Sequence, residues 1–197
     1  MLSNFQRVLL GVILFSAVPG VGEAQEASVS LFGIAIGSEL KTNKDYLFVQ
    51  ENTDTLYYSR RRTTNPEFLL QGVSITPRSH LVVKIDGRTA TGPISVCQRM
   101  LSETRTQLKS RYPQLKERID DVNGTDFHLL SMDRLGCFTN ENVNGMPLRV
   151  PCASSFLLHC ERLSNAFIIE AADTEYEKLA RDEARAIAHM PKRNHLD

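Results

Sequence analysis

The chain has 197 residues, of which 42% are hydrophobic and 23% are charged, close to the averages of globular proteins. This composition excludes a collagen-like, coiled-coil or wholly disordered chain and fits one domain with a short appendage. The 23 basic and 23 acidic residues give a formal net charge of zero, so the molecule has no overall positive field to hold DNA or RNA. We therefore expect no nucleic-acid partner.

The N-terminus has the parts of a secretory signal peptide, which we assign to residues 1–24. Arg7 precedes a short apolar run, Val8 to Val18, and small residues at positions 22 and 24 form a cleavage pattern. The run is far shorter than the roughly 20 apolar residues that span a bilayer, so an uncleaved anchor is the weaker hypothesis. We expect a periplasmic or secreted protein without a transmembrane segment in the mature chain.

The first half of the mature chain is rich in strand patterns. Residues 28–36 predict a strand that is buried on both faces at its end. Apolar and aromatic clusters at 45–50 and 54–59, separated by turn-forming residues, predict a hairpin. Two further strands are predicted at 67–76 and 80–87, joined through Pro77.

A helix is predicted next, at about 95–112. Ser95 is a candidate cap at its start, and Pro113 marks its end because a residue before proline is pushed out of the helical region. Its apolar side chains recur at helical spacing: Val96, Met100, Leu101, Leu108 and Tyr112.

The second half returns to strands before a terminal helix. Residues 125–132 predict a strand, and a long polar loop follows at 138–151. A strand pair at 154–161 and 166–171 has a connection of hairpin length. An apolar stripe then predicts a helix at about 174–189.

Adjacent strands interrupted by only two helices are typical of the α+β class. We predict one domain, residues 25–197, in which antiparallel paired strands carry both main helices on one face. The order of elements from residue 67 onward hints at a duplicated unit, although residue identity between the halves is too low to establish a repeat.

Four cysteines follow the signal, which in an exported chain predicts two disulfides. Four cysteines allow three pairings, of which we favour Cys137–Cys152, across the base of the polar loop, with Cys97–Cys160 as the second bridge. A structural zinc site is the competing hypothesis, but no C-x-x-C pair occurs. We expect neither a metal nor a cofactor.

Cys97 is the sharpest candidate for catalysis. It lies in the first turn of the predicted helix, where the helix dipole lowers the pKa of a thiol. His128 and His159 on later strands could act as its base, as in thiol hydrolases. No local hydrolase signature surrounds Cys97, and a disulfide accounts for it better in an oxidising compartment.

Arg60, Arg61 and Arg62 form the clearest charge run, and Tyr58 precedes them. Strand alternation would place Arg60 and Arg62 on one side with Tyr58, where they could bind an anionic partner. The competing interpretation is a strand end whose charge prevents aggregation.

The sequence contains no cofactor loop or nucleophile elbow that would indicate an enzyme. We therefore favour a non-enzymatic binding or accessory protein of the bacterial cell envelope, for which an inhibitor or an immunity-type protein is one option. Its expected partner is a protein or an anionic envelope component. The alternative is a thiol-dependent envelope hydrolase that uses Cys97.

Overall fold

A computed structural model describes residues 29–41, 44–132, 138–143, 146–149 and 154–189. It contains an eight-stranded antiparallel sheet, two separate two-stranded sheets and two helices. The strands are β1 (Ser30–Leu31), β2 (Ile34–Ala35), β3 (Tyr46–Glu51), β4 (Leu56–Arg60), β5 (Phe68–Ile75), β6 (Val82–Thr89), β7 (Lys116–Val122), β8 (Thr125–Met132), β9 (Phe138–Val143), β10 (Met146–Arg149), β11 (Ser154–Cys160) and β12 (Phe167–Ala172). The helices are α1 (Ile94–Arg111) and α2 (Thr174–Ala188).

The predicted α+β class is confirmed, and both helices pack against the large sheet. One face of this sheet carries the core because alternate strand residues point to the same side. Helix α1 and the β1–β2 segment cover that face, and Tyr176 of α2 packs against the same core. The core side chains include Ile85, Met100, Leu130, Phe156, Leu158, Phe167 and Ile169.

The single strand predicted at 28–36 is wrong, since the structure has a tight hairpin there. Ser30 pairs with Ala35 and Leu31 with Ile34. Phe32 and Gly33 form the turn with positive φ angles of 53° and 77°. Glycine adopts this conformation readily, whereas phenylalanine does so at a steric cost that burial against the core offsets.

Strand β7 was not predicted, because its sequence is almost entirely charged. It forms an edge of the sheet, where polar side chains on both faces are tolerated. Asn123 and Gly124 connect it to β8 with φ angles of 56° and 76°, as a two-residue hairpin turn requires. The Asn-Gly pair is therefore the sequence signal for this hairpin.

The polar segment predicted as a long loop contains the β9–β10 hairpin, so that prediction is also corrected. Helix α1 begins one residue before Ser95, and Pro93 occupies its N-cap position without a side-chain hydrogen bond. Helix α2 begins as predicted, and the Asp173 carboxylate accepts a hydrogen bond from the Glu175 N–H at 2.9 Å.

The large sheet has a two-part organisation that the sequence only hinted at. Its strand order is β3-β4-β5-β6-β12-β11-β8-β7, so the strands run in chain order inward from either edge. Each half is a four-stranded antiparallel unit followed by a helix, with β9 and β10 inserted in the second. The two halves meet through the antiparallel pair β6–β12. The unit therefore begins at β3, well before residue 67.

The proposed signal segment lies outside the described residues. Among the described helices, neither is long and apolar enough to cross a membrane.

Candidate functional site

The arginine run lies where β4 ends, beside the edge strand β3. Arg60 pairs with Tyr46 across the two strands, and its guanidinium lies 5.8 Å from the centre of the Tyr46 ring. Its Nη1 donates to the Phe32 carbonyl oxygen at 3.3 Å. Arg60 is therefore half-buried, and it ties the sheet edge to the β1–β2 turn.

Arg61 and Arg62 differ from Arg60 because both side chains are exposed. The Arg61 backbone N–H donates to the Asp45 carbonyl oxygen at 2.8 Å, which fixes the chain as it leaves the sheet. Arg62 lies beyond the end of β4, so strand alternation no longer determines its direction. The arginine run thus divides into one anchoring side chain and two that face solvent.

Tyr58 lies on the core-facing side of β4, opposite Val73 of β5. Its ring makes an edge-on contact with Phe48 at a centroid distance of 5.5 Å. Tyr58 and Arg60 share that face because they are two residues apart on one strand. Tyr58 therefore packs against Phe48 at the sheet edge, on the same face as Arg60.

Cys97 and Cys160 form a disulfide with a Cα–Cα distance of 5.9 Å. The bond joins the first turn of α1 to the end of β11. It is the second of the two bridges proposed from the sequence. A half-cystine carries no thiolate, so hydrolysis by Cys97 would first require reduction of this bond. Cys137 and Cys152 lie outside the described residues.

The two candidate histidines lie on opposite faces of the sheet. His128 is opposite Leu158 and faces α1, whereas His159 is the neighbour of Leu158 on β11 and points to the other face. The His159 ring lies 4.5 Å from the Phe127 ring. Burial lowers the pKa of His159, although the charge of Glu161 partly opposes this. Cys97, His128 and His159 are therefore not assembled into one site.

His128 belongs to a charged cluster that the sequence analysis missed. Its Nδ1 lies 2.9 Å from Oε1 of Glu117, and Glu117 also binds Lys109 and Arg105 of α1. Burial alone would raise the pKa of Glu117, but hydrogen bonds from Lys109 and His128 outweigh it and lower the pKa. The cluster fastens α1 to β7 and β8.

A second polar cluster, also missed, lies at the centre of the face opposite the core. Asp86 and Glu170 are directly opposed on the central strands. Tyr57 Oη donates to Asp86 at 3.1 Å, and Lys84 binds Glu170 at 2.5 Å. Burial raises the pKa of both Asp86 and Tyr57. Alternation of Lys84 and Asp86 along the predicted strand was the signal that could have located this cluster.

Gly72 makes room for this second cluster. A Cβ atom at Gly72 would lie 2.0 Å from Tyr57 Oη and 2.7 Å from Asp86 Oδ1. Beside the cluster, Ser74, Lys84 and Arg181 help to line an open cleft of about 350 Å³. The cleft carries charges of both signs, so it selects neither an anionic nor a cationic ligand.

No group of three potential metal ligands occurs within the described ranges. Comparison with protein-family models, curated proteins and solved structures finds no match for this chain. Function is therefore inferred from the geometry and charge of the described residues.

Proposed function

We propose that this protein is an exported, non-enzymatic binding protein of the bacterial cell envelope, of the kind that inhibits or neutralises another protein. The strongest support comes from the different environments of the three arginines. Arg60 is held against Phe32 and Tyr46, while Arg61 and Arg62 present their guanidinium groups to solvent on a rigid support. Rigid presentation reduces the entropy lost on binding.

The chemistry of these groups favours a protein with an acidic face. A guanidinium group matches a carboxylate with two parallel hydrogen bonds, which a lysine cannot do. The Arg61 N–H bond to the Asp45 carbonyl oxygen also fixes the backbone where this exposed pair leaves the sheet. We therefore place the partner-binding surface at Arg61 and Arg62, and we place the protein in the periplasm or outside the cell.

The test is charge reversal of the exposed pair, R61E/R62E, in the full mature chain. Arg60 is left intact because its loss would disturb the Phe32 contact. Reversal at Lys178 and Arg181, which are exposed on α2, is a control with the same change in net charge. Capture of partners from an envelope-protein extract, after crosslinking, is quantified by mass spectrometry for the three proteins.

We expect R61E/R62E to reduce capture by about tenfold or more, since removing charge-assisted hydrogen bonds costs about 1.5 kcal/mol of binding free energy. The control should retain capture, and added salt should weaken it. Equal capture by all three proteins would contradict the proposal. Salt-sensitive binding only to vesicles of phosphatidylglycerol would identify a membrane surface instead of a protein.

A further inference from the structure

The open side of β3 has backbone groups that face away from the sheet. Arg61 N–H donates to Asp45 O, so this pair uses its hydrogen bonds within the sheet. Bonded pairs alternate with unbonded ones in an antiparallel ladder, which turns the N–H and C=O groups of Tyr46 and Phe48 outward. In the described part of the chain, β4 is the only strand that pairs with β3.

The side chains of this edge are unusually apolar. Leu47, Phe48 and Val49 are 52%, 51% and 48% exposed. The opposite edge, β7, has five charged residues among its seven, and Ile119 is its one large apolar side chain of similar exposure, at 52%. Charged edges discourage strand pairing between molecules, whereas an apolar edge invites it. The two edges of the sheet are therefore not equivalent.

Charge is distributed along β3 with opposite signs at its two ends. Lys44 and Arg61 are exposed where the strand begins. Glu51 and Asp54 lie where it turns into β4. Six residues of strand separate these ends by about 20 Å. An antiparallel copy of the same strand would bring the basic end of one against the acidic end of the other.

We propose that a second copy of this chain pairs with β3 in antiparallel fashion, forming a two-fold dimer with a continuous sixteen-stranded sheet. A parallel arrangement would place like charges together. Pairing of β3 with β7 would meet a charged edge and would produce open chains, whereas two identical edges close into a dimer. The two Phe48 rings would meet near the two-fold axis, each supported by Tyr58.

A β-bulge between Phe48 and Gln50 limits the length of the regular ladder. The apolar side chains must therefore supply much of the affinity, and this makes Phe48 the position to change. The inference goes beyond the proposed function, because it requires no envelope partner and is tested at Phe48, Lys44 and Glu51 instead of at Arg61 and Arg62.

The first test measures the mass of the mature protein by light scattering and sedimentation over a wide range of concentration. The wild type should show a dimer that dissociates on dilution. F48K should weaken dimerisation by about tenfold or more, because burial of a phenylalanine side chain is lost. I119K is the matched control, with equal exposure on the other edge, and it should dimerise like the wild type. Circular dichroism confirms that each variant is folded.

The second test uses charge exchange. K44E and E51K should each weaken the dimer, and the combination K44E/E51K should restore it because attraction between the strand ends returns. A monomeric wild type at every concentration would overturn the inference, as would equal effects of F48K and I119K. These variants leave Arg61 and Arg62 unchanged, so a wild type that is monomeric but still captures partners would contradict the dimer alone.

Discussion

Glu117 shows how much a single residue can connect in this protein. Its side chain lies on β7 and is only 14% exposed, and it receives contacts from His128 of β8 and from Lys109 and Arg105 of α1. In the folded protein the pKa of Glu117 is lowered, so ionised Glu117 stabilises the fold fully at pH values above its unfolded pKa. That contribution is lost as the pH falls through the lower, folded-state pKa.

We expect E117Q to lower the free energy of unfolding at pH 7 by about 1–3 kcal/mol, since it leaves partly buried cations without their carboxylate. The measurement is urea denaturation of both proteins between pH 7 and pH 3. The difference between them should shrink as the pH falls through the unfolded pKa of Glu117 towards its lower folded-state pKa, where the wild-type carboxylate also becomes protonated. A difference that stays constant with pH would show that the charge is not responsible.

Glycine is required at position 72 because the packing is close there, and not because of an unusual φ angle. We expect G72A to destabilise the protein by about 1–3 kcal/mol, because the added methyl group must displace Tyr57 or Asp86. G92A is the control, since a Cβ atom at Gly92 meets nothing within 4 Å. Both free energies of unfolding come from urea titrations. Equal stability of G72A and wild type would show that the second polar cluster is not closely packed.

At the scale of elements, the Cys97–Cys160 bond joins α1 to β11 across 63 residues of sequence. On the chain-entropy model, a loop of this length stabilises the folded state by about 4 kcal/mol. The bond also fixes the start of a helix whose N-cap lacks a side-chain hydrogen bond. It therefore compensates for a weak local start signal.

Replacement of both cysteines, C97A/C160A, should lower the free energy of unfolding by up to about 4 kcal/mol. Thermal and urea denaturation of the variant and the wild type measure the loss. Peptide mapping after alkylation without reduction should find the two cysteines of the wild type joined to each other. Alkylated Cys97 in that map would contradict the pairing and would reopen the hydrolase hypothesis.

The elements that the sequence predicted correctly have clear hydrophobic periods. The β3–β4 hairpin, the β11–β12 pair and both helices were all placed close to their observed bounds. Strand β7 was not predicted because an edge strand need not bury either face. The β1–β2 turn was not predicted because phenylalanine is an unusual residue at positive φ, as Phe32 is here. The Glu117 and Asp86 clusters depend on register between distant strands, which local patterns do not specify.

For the whole molecule, the α+β class followed from the sequence, but the arrangement of the sheet did not. The order of strands places β6 beside β12, although the helix α1 and five other strands intervene along the chain. No signal in either strand identifies the other as its neighbour. The asymmetry between an apolar edge at β3 and a charged edge at β7 became visible only once that order was known.

The central pair β6–β12 also has a consequence for the order of folding. During synthesis the last of the described strands to emerge, β12, is one that lies in the middle of the sheet and not at its edge. Strands β3 to β6 can pair among themselves early, but the two halves can join only when β12 is available. Contacts so distant in sequence slow folding, because a long loop must close before they form. The two halves therefore remain unjoined, and accessible to chaperones and proteases, until the C-terminal part of the chain has been made.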